Sequence, residues 1–530
     1  MIDPRTIFGP DDSLIPGFVR ALGNSLHWRT RQATVKADLL FAVGDTCDPR
    51  RLAETERLLR SRPYLRFARV TALPGPDGGV TVTVLTRDEL SLEARARGGG
   101  GGGFPLRFLK LGEDNVLGRG LAVRGQYDNG GPRFAYDLSG TAWHLFGQRI
   151  EAAVEGGESG VGPVAEETVR RAFETDFDRL AWRESVRYLK EPFPLVSAAF
   201  GTVLQPDVAF GADAGVATRF GEPGRLQILG VALSAERQYV EGAPLGPVPA
   251  LDSAASAALA GRFVERRVVR AHLLLGARSI RFHPHLGLDA VHALEDVPEG
   301  AQAGLVLGKS LFGGGGLQQD WYAAMDLTTG AELTPHALLF ARGNVEGRFL
   351  TSAGRWDGVL ADGEVLLYAM GRNATTVLAV DGAGGWNTST PFQLLLAGPD
   401  GLRGYGTTMP VGRRIVFHAE TRYFLGGLLG FADVGAAVFA EAGRGWAGDA
   451  AFGENTGLVG DVGAGLRVAV PRGSRRTYRL DVTVPLSRGF GPELRLAVGQ
   501  QFGLFHGEPQ DVVRSRERIS SVTVFDFPRF

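Results

Sequence analysis

The stretch Arg479-Leu480-Asp481-Val482-Thr483-Val484-Pro485-Leu486-Ser487 alternates Leu480, Val482, Val484 and Leu486 with Arg479, Asp481, Thr483, Pro485 and Ser487. A strand turns successive side chains to opposite faces, so this stretch has one apolar and one polar face. The same split recurs at 458 to 470, where Leu458, Val462, Ala464, Leu466 and Val468 oppose Asp461 and Arg467. Five such stretches follow one another between Arg413 and Phe502. Only two architectures use many strands of this kind. A sandwich buries the apolar faces against each other, whereas an outer-membrane barrel turns them to lipid and keeps the charges inside.

Composition favours the barrel. The chain has 530 residues, 76 of them Gly, about twice the usual share. Apart from Gly98 to Gly103, these glycines lie within alternating segments, as in strongly curved sheet. The net charge of −1 leaves no clustered basic excess for nucleic acid. A lone cysteine, Cys47, excludes an internal disulfide framework. Met1-Ile2-Asp3-Pro4-Arg5 is not a signal peptide, which for an exported protein implies a trimmed chain with an added Met. The most apolar long window, Phe424 to Gly443, contains Asp433 and Glu441. It is a poor membrane helix and reads as two strands joined near Gly426 and Gly427.

Four segments are expected: a leader over residues 1–30, a small α/β domain over 31–89, a barrel over 90–506 and a tail over 507–530. In the small domain, Thr34 to Phe41 reads as a strand. A helix follows, capped by Asp48-Pro49 and stopped at Arg62-Pro63. Arg66 to Leu73 and Val80 to Val84 read as strands around a Pro76-Asp77-Gly78-Gly79 turn. Beyond Leu90, sixteen strands at about 26 residues each, loops included, account for the length. Leu245 to Ala260 reads as a long loop.

Between two of these strands lies Gly398-Pro399-Asp400-Gly401-Leu402-Arg403-Gly404-Tyr405-Gly406, a loop with an arginine and an aromatic at its centre. Parity then groups Val416, His418, Glu420 and Arg422 on one face of the next strand, and Phe431, Asp433 and Gly435 on one face of the strand after it. With the apolar faces toward lipid, Glu420 and Asp433 both point into the lumen. A carboxylate pair so confined requires a cation, and a guanidinium can bond several acceptors at once.

Leu402-Arg403-Gly404-Tyr405 and Phe431-Ala432-Asp433-Val434-Gly435 resemble the paired loop and strand motifs of the Omp85 superfamily, in the expected order and about 30 residues apart. Asn24 to Arg31, Leu39 to Asp45 and Glu54 to Arg60 resemble a periplasmic POTRA domain of that superfamily. Glu113 to Gly120 and Glu295 to Gly300 resemble its barrel segments. The resemblance implies a β-barrel of antiparallel strands in the bacterial outer membrane with one POTRA domain in the periplasm. It also implies that Arg403 anchors the loop inside the barrel by pairing with Asp433 and Glu420. The implied function is insertion or translocation of polypeptides at the outer membrane. Partners would be the lipid bilayer, extended client polypeptides and periplasmic chaperones or accessory proteins. A dedicated secretion pore for one partner, and a lipid-handling or structural barrel, are the alternatives.

Three further motifs point elsewhere and are read as structural. Gly308-Lys309-Ser310 has Ala303 where a phosphate loop needs its first Gly. His283, His285 and His292 lack matching ligands for a metal. Ser159 lacks the second glycine of a nucleophile elbow. Neither a cofactor nor an enzymatic activity is expected. Leu494, Leu496, Val498 and Phe502 form the closing-strand signal, and the tail beyond it, starting on the periplasmic side, is expected to lie in or under the lumen and restrict the pore, the alternative being a disordered extension.

Overall fold

A computed structural model describes the whole chain except residues 10–14, 76–77, 99–105, 130–133, 247–250, 252, 399–400, 407–408, 488, 490 and 520–530. The Pro76-Asp77 turn, most of the glycine run after Gly98, Pro399-Asp400 and the aromatic-ended terminus lie outside the described residues.

The N-terminal unit combines β1 (Ile2–Arg5), α1 (Gly17–Ser25), α2 (Gln32–Ala37), α3 (Pro49–Ser61), β2 (Leu65–Pro74) and β3 (Val80–Asp88). Helix α3 begins where its cap predicts: the Asp48 carboxylate accepts from Arg50 N at 2.9 Å, and Pro49 occupies the first turn. Two expectations are corrected. Thr34 and Val35 belong to a helix, because β1 pairs in parallel with β3 and takes the place in the sheet that Thr34 to Phe41 was expected to fill. The leader is therefore partly built into the unit. Thr34 instead donates to Gly118 O at 2.8 Å, a tertiary contact that overrides local β preference.

The remaining strands form one antiparallel sheet with neighbours in chain order. Six short strands open it: β4 (Leu92–Gly98), β5 (Leu106–Glu113), β6 (Leu121–Asp128), β7 (Ala135–Ala142), β8 (Glu151–Glu158) and β9 (Pro163–Arg171). A tall wall follows: β10 (Leu180–Ser197), β11 (Gly201–Glu222), β12 (Arg225–Val240), β13 (Arg266–Leu286), β14 (Leu294–Ser310), β15 (Asp320–Thr334), β16 (Ala337–Leu350), β17 (Arg355–Met370) and β18 (Ala374–Trp386). The loop after β18 holds a two-residue hairpin, β19 (Leu394–Leu395) and β20 (Pro410–Val411). The sheet resumes with β21 (Arg413–Leu428), β22 (Ala432–Trp446), β23 (Val459–Ala469), β24 (Thr477–Pro485) and β25 (Glu493–Val498). Helices α4 (Ser253–Ala260) and α5 (Gln510–Ile519) lie outside the sheet, α4 in the segment read as a plain loop.

Among the described residues the sheet has twenty strands, not sixteen. The excess arises because strands of 7 to 9 residues joined by short turns consume far less chain than the average assumed. The strand order brings β25 back beside β4. Neighbours in this order are hydrogen-bonded, so β25 and β4 close the sheet into a barrel. At about 3.3 Å per residue and a tilt of about 40°, strands of this length span about 15–23 Å, less than the roughly 25 Å apolar band of such barrels. β11, with 22 residues, is more than twice as long as any of the six strands that open the sheet.

Alternation fixes which face is which. Along β24 the exposed residues are Leu480, Val482 and Val484, while Arg479, Asp481 and Thr483 are buried inside. The same outward apolar surface runs over β7, β12 and β15 through Leu138, Val231 and Met325. An apolar surface of that extent around a charged interior suits a bilayer. No helix among the described residues is long and apolar enough to cross a membrane. The strands expected to join at Gly426-Gly427 instead turn at 429–431, and the β21–β22 ladder bulges at Leu425, between Phe424 and Gly426.

Candidate functional site

The loop carrying the arginine motif folds into the barrel. Leu402 and Tyr405 pack with Phe392, Leu394, Leu396 and Val411 in an apolar core inside the lumen. Gly404 is required by closeness: a Cβ there would lie 2.9 Å from Asp461 Cβ, and its N–H donates to Asp461 Oδ2 at 2.9 Å. Tyr405 Oη donates to Gly460 O at 2.5 Å. These contacts hold Arg403 fully buried above the strand wall.

Arg403 Nη2 bonds Glu420 Oε2 at 2.7 Å, and Nε bonds Glu441 Oε1 at 2.7 Å. Its Nη1 faces Asp481 Oδ2 at 3.6 Å, and its own backbone N–H donates to Glu441 at 3.0 Å. The guanidinium also lies 3.7 Å from the centre of the Phe439 ring. Three carboxylates and an aromatic face thus compensate a buried cation, the condition under which burial is tolerated. The network extends outward: Glu420 accepts from Arg422, Asp481 accepts from Arg467 and Arg479, and His418 bridges Glu441 and Asp381 at 2.9 Å each.

Glu420 is therefore the expected partner of Arg403, whereas Asp433 is not. Asp433 bonds Arg472 Nε at 2.9 Å and Gly473 N at 2.7 Å, pinning the turn between β23 and β24. Parity was right and depth was wrong. Glu441 shares the strand and face of Asp433 but lies eight residues further along, about 26 Å away. Phe431 packs at the barrel rim with Ile7, Phe8, Ile15 and Leu90. Gly435 has no room for a Cβ, which would meet Tyr423 O at 2.7 Å and Val291 at 3.4 Å. Two further partners were visible on polar parities and went unassigned: Glu441, and Asp481 within the stretch that fixed the fold.

The closing strand also needs correction. Leu494, Leu496 and Val498 lie on β25, but Gly499 at φ +85° ends it and Phe502 turns inside. There the Phe502 ring stacks on His418 at 4.6 Å, and its carbonyl accepts from Arg422 at 3.0 Å. The chain then climbs the lumen. Leu504 N donates to Tyr368 Oη at 2.7 Å, and Arg342 donates to His506 O at 3.0 Å. Helix α5 follows under the inward loop: Asp511 accepts from Leu395 N at 2.8 Å and from Arg414 at 2.5 Å, and Val512 joins the loop core. Arg516 pairs with Glu508 at 2.6 Å and with Asp362. Opposite this filling, a cavity of about 760 Å³ stays open, lined by Asp128, Asp137, Glu155, Glu191 and the outer side of α5.

The N-terminal unit is docked at the other end of the barrel. Arg60 pairs with Asp296 at 2.6 Å, Arg62 with Glu174 at 2.7 Å, and Ser474 donates to Glu89 at 2.8 Å. Asn115 donates to Thr30 Oγ1 at 2.9 Å, and Arg31 N donates to Gly118 O at 2.9 Å. The segments Glu113 to Gly120 and Glu295 to Gly300 thus include the contacts that seat this unit.

Against known proteins, no protein-family model matches the chain and no curated sequence does. Among solved structures, BamA from Haemophilus ducreyi lacking POTRA domains 1–3 superposes at a TM-score of 0.35 and 11% identity, over 89% of this chain and 82% of that one. CdiB from Escherichia coli gives 0.39 and 12%, over 94% and 75%. OccK5 from Pseudomonas aeruginosa gives 0.32 and 13%, over 77% and 96%. Superpositions this loose leave the functional reading to the chain's own geometry.

Proposed function

We propose that this protein is an outer-membrane barrel that inserts or translocates polypeptides, with its N-terminal unit acting as a periplasmic POTRA domain. The observation that carries the reading is the seam. It lies between β25 and β4, two of the shortest strands of the sheet at 6 and 7 residues, so few backbone hydrogen bonds can close the barrel there. Strand edges released from so short a seam are templates for another chain, and strands too short for the apolar band thin the bilayer beside them. A client strand could add at this edge. In the N-terminal unit, β1 and β2 are the outer strands of the sheet. Strand addition there would hold an extended client through backbone hydrogen bonds, largely independent of sequence. Arg403, Glu420 and Glu441 act as structural anchors of the lumenal loop, and no covalent chemistry is assigned to them.

Reconstitution tests this reading. An insertase accelerates folding of several unrelated barrel proteins into liposomes. No acceleration, together with co-purification of a single secreted protein, would favour the dedicated pore.

A further inference from the structure

Helix α1 carries its apolar stripe on the wrong side for a soluble domain. Phe18, Leu22 and Leu26 recur at four-residue intervals with Ala21 and Ser25 between them, the spacing of one helix face. That face is bare: Phe18 is 74% exposed, Leu22 58%, Leu26 47%, and Trp28 just beyond is 46% exposed.

The stripe cannot roll inward, because the opposite face is already clamped. Val19 packs against Ile7, Phe8 and Ile15, a cluster that also contains Leu90 at the foot of β4 and Phe431 at the turn before β22. At Gly23, a Cβ would lie 2.6 Å from the Phe8 ring. Asn24 bonds both the N–H and the carbonyl of Phe8, at 3.1 and 3.0 Å. Both rim residues border strands whose outward side chains are apolar. Leu92 on β4, Leu425 and Leu428 on β21, and Leu429 in the following turn are all exposed. The bare stripe therefore adjoins the apolar surface of the barrel at its periplasmic edge, close to the seam.

We propose that α1 is an interfacial helix that lies in the inner leaflet of the outer membrane, with Phe18, Leu22, Leu26 and Trp28 among the lipids. The occupant is the bilayer itself, by continuity with the lipid-facing strands, and the inference rests on the membrane reading of the barrel. Such a helix buries its apolar face about 5–10 Å into the boundary between headgroups and acyl chains. An aromatic near its end suits the same depth. Placed at the foot of β4, it holds the leaflet against the shortest strands.

The test uses the full chain in vesicles of phosphatidylethanolamine and phosphatidylglycerol. An environment-sensitive dye is attached at Leu22→Cys, or separately at Phe18→Cys, in a Cys47→Ser background. Comparison labels are placed on the exposed native Cys47 and, in the Cys47→Ser background, at Leu138→Cys on the outward face of β7. Dye at positions 22 and 18 should be quenched by lipid-borne spin labels and shielded from an aqueous quencher, as at position 138, while dye at Cys47 behaves oppositely. Aqueous quenching at 22 and 18 as strong as at Cys47 would overturn the inference. Shielding there from both quenchers would also overturn it, since a protein partner would then cover the stripe. If Leu138→Cys is not quenched by lipid, the membrane reading of the barrel falls first.

Discussion

The two sides of the barrel are built differently. From β16 to β24 the interior is packed with the Arg403 loop, the climbing tail and α5, all cross-linked by buried ion pairs. From β4 to β11 the lumen beside α5 is open and the strands nearest the seam are short. The contrast separates two tasks. A buried charge network fixes one arrangement, because losing any member leaves an uncompensated charge. An open lumen with short, weakly joined strands has few contacts to lose on deforming. Under the proposed function, the packed side is scaffold and the open side beside the seam is the client's way in.

The comparison breaks most visibly if the filling is removed. Deleting Gly507 to Phe530 takes α5, a rod about 10–12 Å across, out of the lumen, and single-channel conductance should rise severalfold. Unchanged conductance would mean that the packed side does not restrict the pore. Next in size is Arg403→Ala. Removing the cation that Glu420, Glu441 and Asp481 share should cost about 3–5 kcal/mol, read as earlier heat unfolding on gels and loss of protease protection of the loop. On the open side, Arg95→Ala disrupts only a half-exposed pair with Glu93 and should cost about 0–1 kcal/mol. Equal costs would erase the distinction. Asp433→Asn should be milder than Glu441→Gln, because its partner Arg472 is nearly half exposed and the Gly473 N–H bond survives. About 1 kcal/mol is expected, with the loop still protected.

The smallest effect concerns the docked N-terminal unit. Burial pushes the Asp38 carboxyl up, but Arg62 at 2.9 Å and His144 at 2.9 Å outweigh it and hold the group down at about 2. With an unfolded value near 3.9, this pair stabilises fully above about pH 4 and is lost as the pH falls through about 2. Limited proteolysis after residue 37 should therefore stay constant from pH 7 to 4 and increase only below that. Loosening at pH 6 would assign the docking to other groups.

Much of this architecture was legible in the chain. Period-two alternation distinguishes inside from outside without any partner, so Glu420, Arg422 and Asp481 were readable as lumenal from their own strands. Pairing across the lumen was not legible, because parity fixes the face and says nothing of depth. Asp433 and Glu441 share a face, and only the inward path of the loop decides which one Arg403 meets. Strand number escaped for a related reason. An average length hides a barrel whose strands run from 6 residues at β25 to 22 at β11. At Thr34 and Phe502, local signals for strand lost to tertiary partners, the turn at Gly118 in one case and His418 with Arg422 in the other.

The most direct test of the account is to lock the seam. One cysteine in β4 and one in β25, in a Cys47→Ser background, are oxidised to a disulfide, and folding of an unrelated barrel protein into liposomes is timed with and without reductant. The account predicts that the locked protein loses its acceleration of folding and that reductant restores it. Full acceleration with the disulfide shown to be closed would contradict a client path through the seam.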